Sequence, residues 1–220
     1  MNINLLCLIT KCDNINKIKN ILDHYKLPLN FTMEAYGTAS ASILKYFGLD
    51  EYKQSIYFSI IPNNIEFYLL KEIENELKFT KPGNGIGYTV PISSSSKYIS
   101  DIVNKKEMEG VAMKNIIKKH LIVTIVQSGY ASMVMESAKK KGANGGTILN
   151  GRGLESKNAV KFLGFSIEPE KDIVLIVIDD KIKKDVMEEI TDKVGIRTKG
   201  KGICFSIPVS NTIGIGEEYE

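Results

Sequence analysis

The chain predicts an α+β fold made of two tandem ferredoxin-like domains, each with the order β-α-β-β-α-β and an antiparallel sheet. Three observations predict it. First, the 220 residues repeat themselves: about Leu5 to Gly48 aligns with Leu121 to Gly164 at an offset of 116, and about Ile56 to Ser93 with Ile173 to Ser210 at an offset of 117. Second, the matches fall on structural punctuation: Gly37 with Gly153, Gly48 with Gly164, Gly83 and Gly85 with Gly200 and Gly202, Pro91 with Pro208. Third, short β-branched runs and amphipathic stretches alternate in the same order in both halves. The domains predicted are 1–93 and 119–220, joined by a connector over 94–118.

The second half shows the elements most plainly. His120 to Gln127 is short and β-branched, so a buried strand. Tyr130 to Lys141 places Met133, Val134 and Ala138 at helical spacing and ends in lysines and Gly142, the expected C-terminal signals. A second strand starts at Thr147 to Leu149. A glycine-interrupted loop is expected from about Asn150 to Lys171. Ile173 to Ile178 reads as a third strand, apolar on both faces. Asp179 and Asp180 open a helix, Lys181 to Val194, with Ile182, Val186, Ile190 and Val194 on one stripe. Ile203 to Val209 is the fourth strand.

The first half gives strands at Leu5 to Ile9, around Phe31 to Met33, Ile56 to Ile61 and Ile86 to Ile92, and helices at about Ile15 to Tyr25 and Ile65 to Leu77. In the connector, four serines (Ser93 to Ser96) read as linker, and Ile99, Ile102 and Val103 as a short helix. Two helices cover one face of such a sheet, so the other apolar face requires a partner, either the sister repeat or another chain, and an oligomer of three chains is expected.

Composition narrows the function. The net charge is only +3, with lysines scattered among acids, so no nucleic-acid footprint is present. Three cysteines (Cys7, Cys12, Cys204) and two histidines (His24, His120) give neither a disulfide framework nor zinc spacing, so no metal is expected and a cytoplasmic location is. Met1 to Thr10 is apolar without a basic lead or a small-residue cleavage site, and no apolar run approaches a membrane span.

The chain has two arginines, Arg152 and Arg197, both in the second half and both beside glycine motifs. Arg152 lies within Gly145-Gly146-Thr147-Ile148-Leu149-Asn150-Gly151-Arg152-Gly153, and Arg197 opens Arg197-Thr198-Lys199-Gly200-Lys201-Gly202. A guanidinium fork suits phosphate or carboxylate, and glycines let backbone N–H groups come close to an anion. The two segments are expected to converge on one anionic ligand. The first half lacks this chemistry: Tyr36 stands at the position of Arg152, Ala35 at Gly151, Asn30 at Gly146 and Thr80 at Arg197. No dinucleotide fingerprint, Walker sequence or nucleophile–histidine pair is present, so no enzymatic activity is expected.

On the Gly145–Gly153 segment, the Glu168-Pro169-Glu170-Lys171-Asp172 entry into the third strand, and Gly200-Lys201-Gly202-Ile203, the second half resembles the PII nitrogen-regulatory family and its PII-like relatives over about Lys119 to Ile215. The first half resembles it only through its alignment to the second. The resemblance implies trimers, adenine nucleotides bound between neighbouring subunits, and a loop between strands two and three that docks a regulated target protein. Thr147 would contact the base; Gly151, Arg152 and Gly153 would form the base of that loop; Gly200, Lys201 and Gly202, flanked by Arg197 and Lys199, would approach the phosphates. No cofactor is required beyond such a ligand. Two other readings compete: an assembly module like the copper-tolerance (CutA-type) trimers, and an acylphosphatase-like enzyme using Asn150 and Arg152.

Overall fold

A computed structural model describes residues 3–37, 52–81, 83–104, 118–152, 160–162, 165–167 and 170–215. In chain order these form β1 (Ile3–Lys11), a 3-10 turn (Cys12–Asn14), α1 (Ile15–His24), β2 (Asn30–Gly37), β3 (Tyr52–Pro62), α2 (Glu66–Leu77), β4 (Gly85–Pro91) and α3 (Lys97–Asn104). They continue with β5 (Lys119–Gln127), α4 (Ala131–Lys140), β6 (Thr147–Arg152), β7 (Val160–Phe162), β8 (Phe165–Ile167), β9 (Glu170–Asp179), α5 (Asp180–Val194), β10 (Ile203–Val209) and β11 (Thr212–Ile213). Both bounds of β1 and β5, and of α1 and α4, differ by 116. The fold is mixed α/β, and the strand pairs with a defined register are antiparallel.

The chain divides into two compact units that are not simply its two halves: Met1–Glu34, Lys53–Lys118 and Pro208–Glu220 form one, and Ala35–Tyr52 with Lys119–Ile207 the other.

In the first unit the strand order is β2-β3-β1-β4-β11. Central β1 pairs with β3 through Leu8↔Tyr57 and with β4 through Leu8↔Gly87. Alternation along β1 sends Leu6 and Leu8 to the helix side, where they pack with Ile18, Ile21 and Leu22 of α1 and Leu69, Ile73 and Leu77 of α2. The i, i+3, i+4 spacing of the α1 set and the i, i+4, i+8 spacing of the α2 set put each on one stripe. α2 stops at Lys78, which adopts a left-handed conformation (φ 53°).

In the second unit the order is β10-β5-β9-β6, and Tyr36 and Gly37 pair with Ile148 and Thr147 on the outer side of β6. Ile122 and Val126 of β5, Val174, Ile176 and Ile178 of β9, Val134, Met135 and Ala138 of α4, and Val186, Ile190 and Val194 of α5 form its core. α5 starts at an Asp179 cap whose side chain accepts from the Lys181 N–H at 2.9 Å. β9 is apolar on both faces in sequence but is buried alternately: Val174, Ile176 and Ile178 are inside, while Ile173, Leu175 and Val177 are half-buried on the helix-free face.

Two details depart from the sequence reading. Part of the expected loop after Asn150 is regular: β6 runs on to Arg152, and β7 and β8 pair as a short hairpin with Phe162 opposite Phe165. Val160 and Phe162 are strand formers, but glycines and polar residues around them masked so short a run. β11, two residues long, adds to β4 through Thr212↔Tyr88 and Ile213↔Gly87. Two tertiary contacts place it, the β4 edge and the core that Ile213 enters, and local pattern encodes neither.

Candidate functional site

The described site residues lie in the second unit: Gly151, Arg152 and Gly200 at one end of its sheet, and Thr147, at the other end of β6, midway along β9. Thr147 opens β6, is buried, and pairs with Leu175. Gly151 pairs with Lys171, and Arg152, the last residue of β6, with Glu170. Gly153 lies outside the described residues. Across the sheet the row continues from Lys171 to Gln127, whose N–H donates to the Gly200 carbonyl at 3.0 Å. Gly151, Lys171, Gln127 and Gly200 therefore stand in one row, on four successive chain segments. At strand spacings of about 4.8 Å, the Arg152 and Gly200 segments are roughly 14 Å apart. A single phosphate group does not bridge that span; an extended nucleoside phosphate does.

The turn from α5 to β10 is held internally. Thr198 N donates to the Gly195 carbonyl at 2.9 Å, Gly200 N to Thr198 Oγ1 at 3.2 Å, Lys201 N to the Thr198 carbonyl at 3.2 Å and Gly202 N to the Val194 carbonyl at 2.7 Å. The backbone donors expected to cradle an anion at 200–202 thus bond within the turn. Positive charge comes instead from the exposed side chains of Arg197, Lys199 and Lys201. Gly202 answers a packing need: a Cβ there would lie 2.5 Å from the Val194 carbonyl and 2.9 Å from Val126 Cγ1. Lys201 takes a positive φ of 44° between the two glycines.

Asp172, which the sequence analysis quotes in the entry to the third strand without assigning it a role, organises the same end of the unit. It is buried, and its Oδ2 accepts from the N–H groups of Gly129 at 2.8 Å and Ala131 at 3.3 Å. It thereby occupies the start of α4, the position a helix would otherwise offer an anion. In sequence it follows Glu170 and Lys171 at the polar start of β9, where nothing sets it apart from surface charge.

Tyr36, aligned with Arg152 in the repeat, is not remote from this site. It pairs with Ile148, packs against the second unit's core, and precedes Gly37, which pairs with Thr147.

A second polar cluster marks the opposite end of the sheet. His120 Nε2 lies 2.8 Å and Lys183 Nζ 2.7 Å from Asp180 Oδ1. The Lys183 hydrogen bond, then its charge, hold the Asp180 carboxyl below the usual carboxylate range. No group of three or more His, Cys, Asp or Glu side chains suited to a metal occurs among the described residues. No described helix is long and apolar enough to cross a membrane.

No protein-family model matches the chain, and no curated protein resembles it in sequence. Among solved structures it is similar to PII from Arabidopsis thaliana bound to citrate, at 22% identity and a TM-score of 0.33, over 43% of this chain and 78% of that one. It is similar to GlnK from B. subtilis at 18% identity and a TM-score of 0.33, over 42% of this chain and 86% of that one. It also matches a Bacillus cereus protein related to NIF3, at 12% identity and a TM-score of 0.35, over 45% of this chain and only 27% of that one.

Proposed function

We propose that the chain is a duplicated PII-like regulator that binds a small anion, an adenine nucleotide in the first instance, at the basic end of its second unit. The observation that carries the reading is the row Gly151–Lys171–Gln127–Gly200. It brings both arginine-bearing segments to one sheet end, with Lys171 between them. Arg152, Arg197, Lys199 and Lys201 then supply charge, and Thr147 and Gly151 form the wall where the base would lie. The span suits a ligand with a neutral ring at one end and phosphates at the other. The recurrence of β1 and α1 as β5 and α4 at one offset supports duplication as the origin of the chain.

In this reading the segment after Arg152 docks a regulated protein target, and binding replaces chemistry as the output. The half-buried Ile173, Leu175 and Val177 face supports association of several copies, three in the arrangement proposed, since apolar area of this kind is a common interface signal. The cytoplasm and a role in nitrogen regulation belong to the same proposal.

Calorimetric titration of ATP, ADP and AMP into the full chain tests it. Saturable binding of at least one nucleotide is expected, stronger for the triphosphate and weakening as salt rises, because exposed cations carry the contact. No heat from any of the three, with no shift in melting temperature, overturns the proposal.

A further inference from the structure

We infer that Cys12 is a modification site: a peroxide converts its thiol to a sulfinate, and the new anion locks the start of α1 as the Asp172 carboxylate locks the start of α4. The inference stands apart from the nucleotide reading. The second unit supplies the template. There Asp172 Oδ2 accepts from the N–H groups of Gly129 and Ala131, ahead of α4. The repeat carries those positions onto the first unit: Ser55 stands at Asp172, Asp13 at Gly129, Ile15 at Ala131 and Cys12 at Ser128. The first unit therefore has a short hydroxyl where the second has a carboxylate.

The start of α1 is left in need of an acceptor. Neither the N-cap residue of the 3-10 turn nor that of α1 gives a side-chain cap. The N–H groups of Cys12 and Asp13 come before the first internal bond of the turn. Only the Ile15 N–H is turned back, onto the Cys12 carbonyl. Two hydroxyls converge beside Cys12 as well. Ser55 Oγ donates to Cys12 Sγ at 3.4 Å. Tyr57 is two residues further along β3, so on the same face. It is 6% exposed, and its hydroxyl is buried with no hydrogen-bond partner. That hydroxyl lies near Ser55 and Thr32 without meeting either in hydrogen-bond geometry, and it is close enough to Cys12 for a charge there to act on it. Burial, above all, pushes the Tyr57 phenol up, so it remains a donor. A buried O–H without an acceptor is rare in a folded chain. The thiol is a weak acceptor and answers this poorly. A sulfinate at the same atom adds two strong acceptor oxygens beside Ser55, Tyr57 and the free N–H groups of the turn.

The chemistry balances with peroxide as the only co-reactant. The Cys12 thiolate attacks one peroxide oxygen; an S–O bond forms, the O–O bond breaks, and the departing hydroxide is protonated to water. The sulfenate repeats the step on a second peroxide, giving sulfinate and another water. Each step oxidises the sulfur by two electrons and reduces one peroxide. Cys12 is exposed, so peroxide reaches it. Cys7, the other cysteine of the first unit, is buried and lies roughly 15 Å back along β1, too far to draw the sulfenate into a disulfide.

The test is peroxide titration of the full chain, with peptide mass spectrometry and melting midpoints read on reduced and oxidised samples. Uptake of two oxygen atoms is expected at Cys12, with Cys7 unmodified, and a midpoint about 3 °C or more above that of the reduced protein. Cys12→Ser under the same peroxide should show no rise, which removes methionine oxidation from the comparison. Cys12→Asp should raise the midpoint without peroxide. Tyr57→Phe and Ser55→Ala should still take up both oxygens but lose most of the rise; a merely structural role of either side chain would shift reduced and oxidised forms alike. The inference is overturned if Cys12 does not reach the sulfinate under peroxide that oxidises the exposed methionines. It is equally overturned if oxidation leaves the midpoint unchanged or lowers it, or if Tyr57→Phe and Ser55→Ala both keep the full rise.

Discussion

Asn211 Nδ2 donates to the buried carboxylate of Glu66 at 2.8 Å, and this contact ties the segment between β10 and β11 to the start of α2. Asn4 Nδ2 donates to the other carboxylate oxygen at 2.8 Å, and Thr89 Oγ1 donates to the first at 2.5 Å while accepting from Asn211 N at 3.2 Å. Three neutral donors therefore satisfy a charge-bearing group that is 2% exposed. Removing the acceptor leaves them buried and unmatched. Glu66→Ala should cost about 2–4 kcal/mol, summed from lost bonds of ~1.5–3 kcal/mol to a charged group with partial relaxation. It should also make the segment after Val209 a protease site. Urea denaturation and limited proteolysis read the two effects, and an unchanged midpoint with intact C-terminal residues rules the network out as a stabilising device.

Asp172 has the same logic in the second unit. Its carboxylate fixes the turn into α4 through two backbone donors. Asp172→Ala should lower stability by about 1–3 kcal/mol, and Asp172→Asn by less, because the amide oxygen still accepts. Amide hydrogen exchange should accelerate at Gly129 and Ala131 in both variants. Equal loss in Asn and Ala variants would mean that the charge, rather than the acceptor geometry, is what matters.

The sequence and the structure agree most closely where packing is local and repetitive. Ile18, Ile21 and Leu22 announce α1 by spacing alone, and the lysines before Gly142 mark the end of α4. Agreement ends where tertiary contacts decide. Residues 208–215 pack with the first unit, and β2 ends beside β6, so Tyr36 meets Ile148 although the alignment files it with the other half. A repeat alignment shows which residues correspond, not which edge each segment covers. At the site, the arginine–glycine segments were legible as composition. That the N–H groups of 200–202 are used within their own turn was not, because Thr198 carries no special signal in a sequence.

Burial makes the first unit sensitive to alkali. Desolvation pushes the Cys7 thiol up to about 12, against a weaker opposing hydrogen bond from Tyr88, and the phenol of Tyr88 is raised in turn by burial and by Cys7. A folded value above the unfolded one gives stability that is complete below the unfolded pKa and lost as pH rises. The window opens near pH 9, the ordinary thiol value, and extends toward the raised one. Within it the slope approaches about 1.4 kcal/mol per pH unit for each proton. Urea midpoints at pH 7 to 10.5 should therefore fall for wild type, and less steeply for Cys7→Val, which is near-isosteric and should cost under about 1.5 kcal/mol at neutral pH. Parallel curves would show that Cys7 does not contribute to the alkaline limb.

The last prediction separates the cations of the proposed nucleotide site. Arg152 ends a paired strand, so its backbone is held, whereas Lys201 sits on an exposed turn with a positive φ. A guanidinium anchored on a strand and able to make two parallel bonds should contribute more than a single ammonium that repositions freely. A charge-assisted contact is worth about 1.5–3 kcal/mol, so Arg152→Ala should weaken ATP roughly ten- to a hundredfold, and Lys201→Ala less. Thr80→Ala, at the first-unit counterpart of Arg197, is the neutral control. Tyr36→Ala is not neutral: Tyr36 packs beside the strand that carries Thr147 and Gly151, so the variant should weaken binding by loosening that wall rather than by removing charge. The two mechanisms differ in salt dependence. Arg152→Ala should flatten the fall of affinity between low and high salt, and Tyr36→Ala should shift the whole curve down with its slope unchanged. If Arg152→Ala keeps wild-type affinity and slope while Tyr36→Ala abolishes binding, the anion is held elsewhere and Arg152 has no part in it.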